Sequence, residues 1–276
     1  MSMIVPRPLH GQHFRQKDAP MDEHTISVQE DLRICNWLLS QANEAEAMLD
    51  ESDASRVLCY FLNRTVGVAH VIATLRQMAT FPWTNEAACL LRSSYDVSLQ
   101  AIYLTNEPAK TECLARQYLD FGAIEQWKWI ELAKKKETKW ANDLLNSPRA
   151  SAMPEIKAKY ESVEKQFRKG KGTEHRQNWY EGNLFLMAKQ VHLAHEYQWI
   201  VKRLHGTIHA SATAMRHGAG IREEFAFMMA NDLVLRAVGA IRRYRTVPSG
   251  QQVDEACTDL VSGWEQQDQE SGRGNP

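Results

Sequence analysis

Between Ala87 and Leu104 the chain reads AACLLRSSYDVSLQAIYL, and in those eighteen residues the only formal charges are Arg92 and Asp96. On a helix this i, i+4 spacing puts both charges on one face. Leu91, Tyr95, Leu99 and Ile102 then form one apolar stripe, and Leu90, Val97, Ala101 and Leu104 form another. A helix apolar over most of its circumference has to be surrounded by other elements, which predicts a multi-helix bundle with this segment near its centre. The same argument predicts burial for Arg92 and Asp96. Burying a guanidinium and a carboxylate is costly unless each has partners. The pair therefore reads either as an internal brace or as a site where Arg92 lends its planar fork to a phosphate or carboxylate while Asp96 orients it.

The flanking pattern agrees with an all-α chain, because no run alternates apolar and polar residues long enough to make a strand. Residues 1–24 carry Pro6, Pro8 and Pro20 among polar residues and read as a flexible arm. Ser27 and Glu30 can close a capping box, from which a helix runs to about Leu49. Further helices are predicted near 53–79, 87–104, 108–145, 154–168, 183–216 with a break at Gly206, 222–246 and 251–264. Residues 25–265 form one helical domain in this reading, and 266–276 a disordered tail. FRKGKGTEHR, residues 167–176, reads as an exposed basic loop with some capacity to touch nucleic acid. It is no Walker loop, lacking the upstream glycine and a Ser or Thr directly after the Lys. Trp127, Trp129 and Trp140 read as core or interface before they read as a base-stacking platform.

Hydrophobic residues make up 43% of the 276 residues, enough to bury a substantial core. The net charge of −1 hides a segregation. From Ile200 to Arg245 there are eight Lys or Arg against three acids, whereas Val247 to Pro276 has one Arg against six acids, so polyanion binding is expected in the first stretch. Cys35, Cys59, Cys89, Cys113 and Cys257 are far apart, with no CxxC pair. Together with the absence of a signal-type apolar segment at the N-terminus, this points to a soluble, reduced, cytoplasmic protein without membrane association.

The second chemical candidate is KRLHGTIHASATAMRHG, which holds Arg203, His205 and His209. His205 and His209 have the i, i+4 spacing of metal ligands, but the chain has no Glu-x-x-His, and HEYQW ends in Trp199 where a metal motif needs His. No metal and no cofactor are therefore expected. Imidazole beside guanidinium suits metal-free acid/base chemistry on a phosphodiester, with His moving the proton and Arg steadying charge on phosphorus. An interhelical histidine beside the small residues Gly206, Ala210 and Ser211 remains the alternative.

LLRSSYDVSLQAIYLTNEP, ARQYLDFGAIEQWKW, NWYEGNLFLMAKQ and YQWIVKRLHGTIHAS, in that order, resemble the bacterial helical domain-of-unknown-function family 5677 over about residues 50–217. The family pattern usually has Glu where this chain has Asp96, and Ser where it has Gly206. The resemblance implies Arg92, Asp96 and His209 as site positions and implies no activity. A remoter similarity is to HEPN domains, helical proteins whose nuclease members carry Arg-x(4–6)-His in a late helix and cut RNA without a metal, commonly as dimers. Arg203 and His209 fit that spacing, as do Arg7/His13, Arg64/His70 and Arg168/His175, where chance alone gives roughly two matches. The functional expectation is a metal-independent endoribonuclease of a bacterial defence or toxin system, with His209 and Arg203 catalytic. It would act on RNA, as a homo-oligomer, with a partner protein or antitoxin. The alternative is a non-enzymatic scaffold or sensor in which Arg92, Asp96 and His205 serve structure, a partner protein or a small anionic ligand.

Overall fold

The structure, a computed structural model, describes residues 23–77, 84–136, 139–146, 152–169, 174–208 and 222–246. Nine α-helices occupy these residues: α1 (Glu23–Glu46), α2 (Asp53–Gln77), α3 (Thr84–Asn106), α4 (Thr111–Lys135), α5 (Lys139–Leu145), α6 (Met153–Val163), α7 (Leu184–Gln190), α8 (Ala194–Ile208) and α9 (Glu223–Arg245). Among the described residues there is no strand, only one antiparallel bridge between Arg168 and His175. The fold is an all-α bundle.

Its centre is the trio α2, α3 and α9, which pack mutually. α1 lies on α2 and α9, α7 and α8 lie on α3, and α4 lies on α2 while carrying α5 and α6. Phe61, Leu62, Leu91, Tyr95, Leu99 and Leu104 are each at most 2% exposed, so both apolar stripes of α3 contribute to the core. Alanines line the faces of α9 that meet α2 and α3, which lets the three backbones approach closely. α2 alone among the described helices is long and apolar enough to cross a membrane, yet its apolar faces are packed in this bundle.

Helix ends are fixed by contacts from distant sequence. The first two backbone N–H groups of α2, on Asp53 and Ala54, each donate at 3.1 Å to the Glu112 carboxylate of α4. A carboxylate at a helix N-terminus satisfies orphan donors and meets the positive end of the helix dipole. Just before α2, Asp50 accepts from Ser52 N–H, Ser55 Oγ and Arg245, and these bonds hold its carboxyl well below the usual carboxylate range.

Several sequence expectations need correction. α1 starts at Glu23, so Ser27 lies within the helix and not at its start. The long helix expected at 108–145 divides: Lys136 is extended at φ −109, ψ 110, and α5 starts afresh at Lys139. Four lysines between 134 and 139 crowd like charge into little more than one turn, which weakens the helix there. The helix expected at 183–216 breaks at His192 (φ 61) and not at Gly206, which continues α8. The break is sealed by Leu193 N–H donating to the Ala188 carbonyl at 2.7 Å, a six-residue closure typical of a left-handed helix end. The polar helix at 154–168 finishes in a 3-10 turn, Glu164–Phe167. FRKGKGTEHR is not a solvated loop throughout: Phe167 is fully buried, and the ends pair through Lys169 N–H to Glu174 O and Arg176 N–H to Phe167 O. The arm at 1–22, the helix expected at 251–264, the tail and Cys257 lie outside the described residues.

Candidate functional site

Arg92 and Asp96 sit on the flank of α3 that faces α8, and Arg92 Nη1 donates to Asp96 Oδ1 as the spacing predicts. Both side chains are largely buried, at 20% and 24% exposed, and the pair stands at a wall of the core. Its partners come from α8. Arg92 Nη2 lies 3.4 Å from the Tyr197 hydroxyl, and the guanidinium carbon lies 5.6 Å from the centre of that ring. Next to it Tyr95 is buried, its ring 6.1 Å from that of Tyr197. Burial, and then the Glu196 carboxylate, push the Tyr95 phenol well above its ordinary value. Glu196 is itself gripped through both oxygens by Arg236 of α9, which also holds Asp232.

Beyond Asp96 the wall opens on a cleft of about 560 Å³ between α3, α4, α6 and the segment 177–184. Tyr118, Phe121, Trp179 and Tyr180 give it aromatic sides, and Asp96, Gln100, Glu125 and Asn178 supply polar groups. One hydrogen-bond chain ties the sides together. Gln117 Nε2 of α4 donates to the Trp179 carbonyl (2.8 Å), Trp179 Nε1 donates to Gln100 Oε1 (2.7 Å), and Gln100 Nε2 donates to the Asp96 carbonyl (3.2 Å). Trp179 is also held edge-on by Tyr118 and Tyr103.

The segment is shaped locally by Gly182, at φ +102, where a Cβ would come within 2.7 Å of Leu186. Asn178 Nδ2 bonds the Gly182 carbonyl, and Asn183 caps α7 by accepting from Leu186 N–H. Tyr180 is 4% exposed, and its hydroxyl has no hydrogen-bond partner among the described residues. Burial first, then Tyr197 and Tyr103, push that phenol far up, so at neutral pH it is a donor. Burial likewise pushes Tyr118 up to about 12.

The other sequence candidates lie elsewhere. α8 is helical through Ile208, with Ile200 and Leu204 buried, so the backbones of Arg203 and His205 belong to its last two turns. Their side chains, and all of His209, lie outside the described residues. At about 1.5 Å per residue, His205 is roughly 12 Å along the helix from Tyr197, which is the α8 residue that meets Arg92. Among the described residues, Arg92 meets Tyr197 of α8, and Asp96 and Tyr180 line one cleft. Among the described residues no group of three His, Cys, Asp or Glu is arranged to hold a metal. Trp127 stacks on Tyr160, and Trp129 is 58% exposed.

Sequence reasoning missed Gln100, Gln117, Tyr180, Glu196, Tyr197 and Arg236 as members of the site. The adjacent aromatics of NWYEGN, outside any helical period, were the available signal. No curated protein and no solved structure matches the chain. The sequence profile of a family of unknown function (DUF5677) matches residues 55–225, a span that holds the cleft, Arg92 and Asp96, and α8. With well over half of its length matched, the chain belongs to that family of unknown function.

Proposed function

We propose that the chain is a non-enzymatic helical sensor or scaffold domain that binds a small anionic ligand beside Arg92, with the ligand's body in the aromatic cleft. The supporting observation is a largely buried guanidinium, pre-oriented by Asp96 and Tyr197, next to a cleft lined by Asp96 and by Tyr180, whose buried hydroxyl has no hydrogen-bond partner among the described residues. A planar fork held by a carboxylate is organised to accept a carboxylate or phosphate, and an unpaired buried phenol gains a full hydrogen bond from such a group. Thermal melts with millimolar inorganic phosphate, benzoate and adenosine monophosphate test it. At least one should raise the melting temperature by mass action, and Arg92→Lys and Tyr180→Phe should each lose most of that shift. No shift with any of the three, or an unchanged shift in both variants, rejects the reading.

A second reading rests on α8, whose anchoring by Ile200 and Leu204 fixes the helical turns that bear Arg203 and His205. In this reading the chain is a metal-independent, HEPN-like endoribonuclease of a bacterial defence or toxin system. It works in the cytoplasm as a homo-oligomer, with a partner protein or antitoxin. Arg203 steadies the phosphate, and His209 moves the proton at the ribose 2′-hydroxyl or the leaving oxygen. Purified protein should then cut RNA in the presence of chelator and leave 2′,3′-cyclic phosphate ends. His209→Ala should lose at least about 10²-fold in rate with an unchanged melting temperature. RNA left intact, or full activity in that variant, rejects it.

A further inference from the structure

The basic residues of α9 do not form the polyanion surface that its composition suggests. Arg236 is taken by Glu196 and Asp232, Arg242 by Gln41 and Glu44, and Arg245 by Asp50. They staple helices together. The first half of the same helix carries the opposite charge and forms one wall of a groove of about 440 Å³, with α1 as the other wall and Arg76 of α2 at the floor.

Helical period builds the α9 wall, since Glu224, Met228, Asn231 and Leu235 recur at i, i+4, i+7 and i+11. Glu30 and Ile34, one turn apart on α1, line the other side. At the floor the positive charge is spent. Arg76 Nε donates to Asp31 Oδ2 at 2.8 Å, both side chains largely buried, and the guanidinium carbon lies 5.0 Å from the centre of the Phe227 ring. The rims are acidic: Glu30 is exposed on α1, and Glu224 and Asp232 stand eight residues, about 12 Å, apart on α9. Arg222 comes only within 4.0 Å of Glu224, Arg236 divides its charge between Asp232 and Glu196, and Arg33 is a further exposed cation on this part of α1. Burial raises the Asp31 carboxyl above its ordinary value against the pull of Arg76, with Glu30 adding a smaller push. Asn231 is an independent sign of a ligand. It is 9% exposed in the groove lining, and its buried Oδ1 has no hydrogen-bond partner among the described residues. A buried acceptor left dry is satisfied by a donor that enters from the groove.

We propose that this groove binds a linear polyamine, its ammonium groups on the carboxylates of Glu30, Glu224 and Asp232 and one N–H donating to Asn231. Ammonium groups strung on methylenes match carboxylates spaced along a groove with apolar side chains between them. Met228 lies between Glu224 and Asp232 in the α9 wall, and it, Ile34 and Leu235 are 63%, 38% and 39% exposed, which leaves apolar surface for the methylenes. A metal ion needs its ligands gathered at one point, and among the described residues no three His, Cys, Asp or Glu are so arranged. An anion would meet carboxylates on both walls. Lysine side chains of a peptide carry the same ammonium group, but they approach end-on and do not lie along the groove.

The inference is independent of the Arg92 cleft. Its test is isothermal titration of the full chain with spermidine, with magnesium chloride and trilysine as comparison titrants. The chain's net charge of −1 gives a polycation little general attraction, so saturable binding reports a local site. Spermidine should bind at one site, more weakly as sodium chloride is added. Glu30→Gln with Glu224→Gln, both exposed, should weaken binding at least about tenfold and flatten its salt dependence. Asn231→Leu should weaken it about threefold or more, yet hold or raise the melting temperature of the unliganded protein, because an unpaired amide is removed and no hydrogen bond is lost. A purely structural asparagine would show the reverse. Absence of spermidine binding, equal or tighter binding of magnesium or trilysine, unchanged affinity in both variants, or a lowered melting temperature of unliganded Asn231→Leu each overturns the proposal.

Discussion

Gln117 is a polar residue 4% exposed in the middle of α4, and its amide is the first bond of the chain that runs through Trp179 and Gln100 to α3. Replacing it with Leu leaves the Trp179 carbonyl dry and unpaired, a loss of about 1–3 kcal/mol. Arg92 looks more important in the sequence, being a lone cation in an apolar helix, yet its side chain is 20% exposed and water can take over its bonds. Arg92→Ala should therefore cost about 1 kcal/mol or less. Urea melts of the two variants check the order: Gln117→Leu should be the less stable protein, and the reverse order would show that the α3 pair braces the core after all.

At the scale of elements, the clearest dependence is that of α2 on α4. Its first two amides have the Glu112 carboxylate as their acceptor, so the capping group comes from a helix that begins nearly sixty residues later. Glu112→Ala should destabilise the bundle by about 1–2 kcal/mol, with Glu112→Gln recovering part of the loss because the amide oxygen still accepts but the charge at the helix dipole is gone. Equal stability of all three proteins in denaturant melts would place the cap outside the energetics of the fold. This also marks what the sequence could tell. Periodicity of 3.6 is local, so α2, α3 and α9 were legible to within a few residues. The break at His192 depends on a backbone closure to Ala188, and the division at Lys136 on accumulated lysines, neither of which disturbs the apolar rhythm. The site was half legible for the same reason: Arg92 and Asp96 announce themselves on one helix, while Trp179, Tyr180 and Tyr197 acquire meaning only when α3 brings them together.

At the scale of the whole molecule, charge is used twice and differently. On α9, Arg236, Arg242 and Arg245 are spent on carboxylates of α8, α1 and the turn before α2; at the end of α4 and at Lys169, exposed lysines stay in water. The central trio joins the beginning of the described chain to its end, since α9 completes a core that α2 and α3 can only half enclose. During synthesis, α2 and α3 leave the ribosome well over a hundred residues before α9 does. At elongation rates of about 5–20 residues per second that interval is on the order of ten seconds. For that time the faces of α2 and α3 that will receive α9 are uncovered, and a nascent chain in this state is a substrate for chaperones and a hazard for aggregation. The last of the described helices is thus also the step that covers these faces.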